Sequence, residues 1–63
     1  MEVILIMHKA KYEDMVENVD IAIGMDIALK YAEDLKIKYP YLYGDEYGVF
    51  YFERFKLIDE IRW

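Results

Sequence analysis

The chain contains no cysteine, serine, threonine or glutamine, and only one histidine, His8. Without cysteine, disulfides and thiolate metal sites are excluded, and a lone histidine leaves no basis for a histidine-rich metal centre. The same gaps remove the common hydroxyl and thiol nucleophiles, so carboxylates, lysines, tyrosines and His8 are the only chemical actors left. A non-enzymatic protein without cofactor or metal is the expectation. Basic residues are also scarce: eight Lys and Arg stand against thirteen Asp and Glu, for a formal net charge of -5. Phosphate contacts need a basic face, so direct nucleic-acid binding is disfavoured.

Long apolar runs are missing as well. The longest, Val3 to Met7, falls far short of the roughly 20 residues that cross a bilayer. The N-terminal stretch also lacks the basic start and small-residue cleavage pattern of a signal peptide, so a cytoplasmic protein with no membrane contact is expected. There is no internal repeat and no low-complexity segment, and residues 1–63 read as one domain.

What the chain has in quantity is apolar and aromatic surface, with 57% hydrophobic residues including seven Tyr, three Phe and one Trp. A domain this short buries only about 60% of the surface its unfolded chain exposes. Chains of this size usually add disulfides, a metal or a partner to a core close to break-even, and the first two are already excluded. Partner association is what remains. Enrichment in Ile, Lys, Tyr, Asp and Glu fits either an AT-rich genome or adaptation to heat, and composition does not separate the two.

Val3 to Met7 is aliphatic on both parities, the pattern of a central strand buried on both faces. Residues 8–18 turn polar and acidic and read as an exposed connection, although Tyr12, Met15, Val16 and Val19 also fit a short helix. Val19 to Ile23 alternates as a half-buried outer strand ended by Gly24. Asp26 is then placed as the N-cap of a helix that runs to about Lys38 and is stopped by Pro40. On that helix Met25, Ala28, Tyr31, Ala32 and Leu35 share the inward face, with Asp26–Lys30 and Asp34–Lys38 as i,i+4 pairs on the wet side. Residues 39–48 form an aromatic, turn-rich loop. The last strand runs from Val49 to about Ile58, with Asp59 to Trp63 as a short tail.

The expected fold is α+β: a small, three-stranded, mainly antiparallel sheet of order 2-1-3, with one helix packed on one face, in the layout ββαβ. One helix covers one side of a sheet, so a second apolar side is left over. A homodimer packing through it follows, and Ile4, Ile6, Phe50 and Phe52 are assigned to the dimer face. The alternative is a monomer whose aromatic loop folds back over the open side.

Two groups stand out as an interaction surface. Seven acidic residues against Lys30 alone lie between Glu13 and Asp34. Of these, Glu13, Asp14, Glu33 and Asp34 are the candidate contacts with a basic partner, the other reading being a solvated face that aids solubility. The loop adds Tyr41, Tyr43 and Tyr47 beside Asp45 and Glu46, and tyrosine combines a rigid apolar ring with a polar tip. Other chemistry is weaker. His8 with Glu13 and Asp14 lacks a second nitrogen or sulfur ligand, Asp45-Glu46 lacks the spacing of a calcium loop, and Gly24 before an acidic residue would repel phosphate.

The strand Val3 to Met7, the Tyr12-Glu13-Asp14 region, Val19-Asp20-Ile21-Ala22-Ile23-Gly24, the helix Ala28 to Leu35 and the closing Phe52 to Glu60 resemble small phage and prophage proteins of ββαβ layout. The likeness is one of architecture and covers most of the chain. It implies a setting in which small acidic proteins bind and block a host factor, including components of antiviral defence. A homodimer that inhibits a host protein in the host cytoplasm is the functional expectation, with a structural or accessory subunit as the alternative.

Overall fold

A computed structural model describes residues 2–56. Within them the order is β1 (Glu2–Ala10), β2 (Val16–Ile23), α1 (Met25–Lys38), α2 (Pro40–Tyr43) and β3 (Gly48–Lys56). The sheet has the order β2-β1-β3, and both outer strands run antiparallel to β1. This is the α+β, ββαβ arrangement expected from the alternation of apolar runs and breakers. The expected end of β3 at Ile58, and the tail from Asp59 to Trp63, lie outside the described residues.

Two strands are longer than their apolar runs. β1 continues through His8, Lys9 and Ala10, and β2 begins at Val16, so the connection shrinks to residues 11–15 and the alternative helix there does not form. The extension follows from pairing rather than from propensity. His8 lies between Glu17 and Phe50, and Lys9 between Val16 and Val49, so ladder hydrogen bonds on both sides carry the central strand past its aliphatic segment.

The register of β1 against β2 shifts between Ile6 and Met7: Ile6 lies opposite Asp20, while Met7 lies opposite Asn18. Val19 is therefore an extra residue, a β-bulge, and it packs against the core on the same side as Ala22. Beyond the bulge the parity of β2 is reversed. Glu17 comes to the helix side beside His8, and Val16 goes to the opposite face.

Gly24 begins α1 with φ +98°, a backbone conformation open to glycine at little cost. Its N–H donates to the Glu2 carbonyl at 3.2 Å, and its carbonyl accepts from Ala28 N at 3.2 Å. Gly24 is thus the N-cap, and Asp26, expected in that role, stands in the first turn, where its charge still complements the helix dipole. Pro40 ends α1 as expected and then serves as the first residue of α2. The Tyr39 N–H closes the first helix on Leu35 O at 2.8 Å, and the Tyr39 carbonyl opens the second by accepting from Tyr43 N at 2.9 Å.

Helix α1 packs on β1 and β2, and α2 reaches β1 and β3. The core is small: Ile4 and Ile6 are fully buried beneath Ala28, with Ala22 and Ala32 also buried and Val19, Met25, Phe50 and Phe52 closing its sides. Ala28 and Ala32 are the positions at which the helix comes close, because a methyl group leaves room for the isoleucines below. Each fully buried isoleucine contributes about 1.5–3 kcal/mol.

Candidate interaction surfaces

The helix covers the face of Ile4, Ile6, His8, Phe50 and Phe52. The dimer face expected at Ile4, Ile6, Phe50 and Phe52 is therefore corrected: the two isoleucines are wholly covered by the chain's own helix, and the two phenylalanines are half-buried beside it, stacked with ring centroids 6.4 Å apart. Among the described residues, the face without a helix is the other parity. Val3 lies there between Ile23 and Phe55, Leu5 between Ile21 and Glu53, Met7 between Asn18 and Tyr51, and Lys9 between Val16 and Val49. Ile21 is 63% exposed, Ile23 59% and Val49 58%, with Tyr51, Phe55 and Val16 nearly half exposed. Side chains of this kind gain about 25 cal/mol for each Å² removed from water, and here they form one continuous layer.

The second surface lies at the end of the sheet where β1 stops and β3 begins. The Lys11 N–H donates to Tyr47 O at 2.8 Å, which ties the β1–β2 turn to the segment before β3. Glu13 and Asp14 are exposed in that turn, and Asp45, Glu46 and Tyr47 in the neighbouring one. Glu33 and Asp34 are exposed on α1. Lys36 draws part of this group together: its Nζ lies 3.3 Å from Glu33 Oε1 and 2.9 Å from Asp45 Oδ1, and the hydrogen bond to Asp45, aided by that to Glu33, raises its pKa. The expected pairs Asp26–Lys30 and Asp34–Lys38 are not among the ion pairs of the described residues.

The tyrosines of this region separate into two roles. Tyr43 points inward and packs on His8 and Phe50, with ring centroids 5.0 and 5.5 Å away. Tyr41, two residues earlier on α2, is 80% exposed, and its ring stands 6.2 Å from that of Tyr47. Pro40, Tyr41, Gly44, Asp45, Glu46 and Tyr47 line an open hollow of about 340 Å³. A second hollow of about 270 Å³ lies between α1 and β3, over Leu29, Lys36, Phe50 and Phe52.

His8 is the one buried polar side chain among the described residues, 5% exposed, and its Nε2 is without a hydrogen-bond partner. Phe50 meets the imidazole edge-on at 4.8 Å, and Gly48 lies so close that a Cβ there would sit 2.6 Å from Nε2 and collide with the Lys9 carbonyl. Burial lowers the pKa of His8, and the charge of Glu17, brought alongside by the bulge, raises it in partial compensation. Asp20, opposite Ile6 on the same parity as Glu17, accepts from Ile21 N at 2.7 Å, and its side chain near the Tyr31 hydroxyl raises that phenol's pKa.

His8, Glu13 and Asp14 do not come together, and the described residues contain no group of three or more His, Asp or Glu that could hold a metal ion. No helix among them is long and apolar enough to cross a membrane. Comparison with family models, with curated proteins and with solved structures finds no match to this chain. The functional reading therefore rests on the residues and where the fold places them.

Proposed function

We propose that the protein is a dimeric binding protein that inhibits a host or antiviral-defence protein, with the helix-free sheet face as its dimer interface and the acidic, tyrosine-rich end as its contact with the target. The observation that carries this reading is the layer of exposed Ile21, Ile23, Val49, Tyr51 and Phe55 around Val3, Leu5 and Met7. Three strands of eight or nine residues, about 4.8 Å apart and rising about 3.3 Å per residue, give a planar footprint of about 400 Å². The corrugated accessible area is larger, which puts the face at the lower end of interfaces that bury about 800 Å² per partner.

Charge supports a second copy as the occupant. Lys9 and Glu53 are the two charged residues on this face, and they lie on opposite sides of Met7 along the strands. A two-fold axis crossing the strands at Met7 carries Lys9 of one copy over the Leu5–Glu53 level of the other, pairing opposite charges while the aliphatic rows meet.

Light scattering over a wide range of concentrations tests the dimer. A mass approaching twice the 7.7 kDa of one chain is expected, and Ile21→Lys, at an exposed position, should return it to that of the monomer. A wild-type mass of one chain at every concentration overturns the dimer. For the inhibitory half, affinity capture from bacterial lysate should return a specific protein that is lost on charge reversal at Glu13, Asp14, Glu33 and Asp34. Repeated capture of nothing specific overturns inhibition. Capture unchanged by the reversal reduces the acidic residues to a solubilising role and moves the protein toward an accessory subunit.

A further inference from the structure

Resting on the proposed role of the acidic end in target binding, we infer that the hollow walled by Tyr41 and Tyr47 receives an arginine side chain from the partner protein. Tyr41 is placed by α2 and is 80% exposed, so it fills no core, unlike Tyr43 two residues on and turned to the opposite side of the helix. Its ring plane is inclined 65° to that of Tyr47, and both rings line, with Pro40 and Gly44, an open space of about 340 Å³, large enough for a guanidinium and part of its stem.

Three of the chain's lysines lie over other rings. Lys11 lies over Tyr12 at 5.9 Å, Lys38 over Tyr39 at 5.4 Å and Lys36 over Phe50 at 5.9 Å, while among the described residues no cation lies over Tyr41 or Tyr47. Asp45 is shared with Lys36, but Glu46 has no ion pair among the described residues. An edge-to-face tyrosine pair, with Tyr41 largely exposed, beside a carboxylate that has no ion pair among the described residues suits a flat cation that can stack and donate at once. A guanidinium does both, whereas an ammonium acts as a compact, strongly hydrated point charge. Net charge of -5 adds long-range attraction for a basic partner.

The test uses three otherwise identical Gly/Ser peptides with a central arginine, lysine or citrulline, titrated into the full chain while the tyrosine ring signals are followed by NMR. The arginine peptide should move the Tyr41 and Tyr47 signals saturably, the lysine peptide more weakly, and the citrulline peptide not at all. Tyr41→Leu and Glu46→Gln, both at exposed positions, should each weaken the arginine peptide about two- to fivefold. Equal binding of citrulline, no effect of Tyr41→Leu, or shifts spread evenly to residues around Glu13 and Asp14 would overturn the inference. The mass by light scattering stays the same in these variants if the dimer exists, so failure of the pocket and failure of the dimer are read separately.

Discussion

The two faces of this sheet are made of the same kinds of residue and meet opposite fates. On one, Ile4 and Ile6 are completely buried under Ala28 of α1 with Val19, Met25, Phe50 and Phe52 at the sides; on the other, Leu5 and Met7 are only half-buried, and Ile21 and Ile23 are exposed. What separates them is a single helix, whose alanines let it sit close over β1 and β2. The covered face stabilises the folded chain, whereas the exposed side chains of the other face contribute little while they stay in contact with water.

The sharpest way to break this comparison is to truncate one aliphatic side chain on each face. Ile6→Ala leaves a cavity under the helix and is expected to cost about 2–5 kcal/mol, close to the whole stability of a domain whose total is only about 3–9 kcal/mol at its length. Leu5→Ala removes a side chain of similar size but should cost the isolated chain less than half as much, since its surroundings are already partly wet. Denaturant unfolding at low protein concentration measures both. Equal losses would mean that the open face is covered within the chain itself.

A smaller loss, confined to the covered face, is expected with acid. The folded-state pKa of His8 is lowered by burial. Above its ordinary value of 6.5 the imidazole is neutral in both states, and its contribution to stability does not change with pH. As pH falls through 6.5, the unfolded chain takes up a proton that the folded one resists, so stability drops until the folded-state pKa is passed. Glu17, beside the imidazole, limits the depth of the drop; Tyr43 and Phe50 pack their rings on its other sides, and Nε2 has no hydrogen-bond partner in place of water. Unfolding midpoints measured from about pH 7.5 to 5.5 should fall in the wild type and flatten in His8→Leu, and parallel curves for the two would remove His8 as the cause.

The order of the three strands and α1 was legible in the sequence because each rests on a local pattern: Gly24 and Pro40 bracket α1, and β-branched runs mark the strands. The side on which the helix lies was not. Val3 to Met7 is apolar on both parities, and β3 begins with Val49, Phe50, Tyr51 and Phe52, so neither strand says which face is inward. The charged residues further along do not settle it either, because Glu53 falls opposite Leu5 on one face and Arg54 opposite Ile4 on the other. The bulge at Val19 is equally invisible, being a matter of register against β1. With it went the positions of Glu17 and Val16, and the burial of His8, which ends an aliphatic run and precedes two lysines within three residues. Of the expected contact surface, Tyr41, Asp45, Glu46 and Tyr47 do share one hollow, as their closeness in sequence allows. Tyr43 is turned into the core by the geometry of a helix too short to be foreseen.

The smallest effect expected bears on how two open faces would meet. If the axis crosses the strands at Met7, Lys9→Glu and Glu53→Lys should each weaken the dimer about two- to fivefold, the range set by exposed ion pairs, and the double exchange should restore it. Neither residue belongs to the buried core, so monomer stability serves as an internal control. The same experiment separates face-on packing from pairing of the free edges of β2 and β3. Edge pairing joins backbones and places the Lys9 side chains, on the central strand, too far apart for their charge to matter, so a Lys9→Glu exchange without effect on a dimer of unchanged mass would transfer the interface from the sheet's face to its edge.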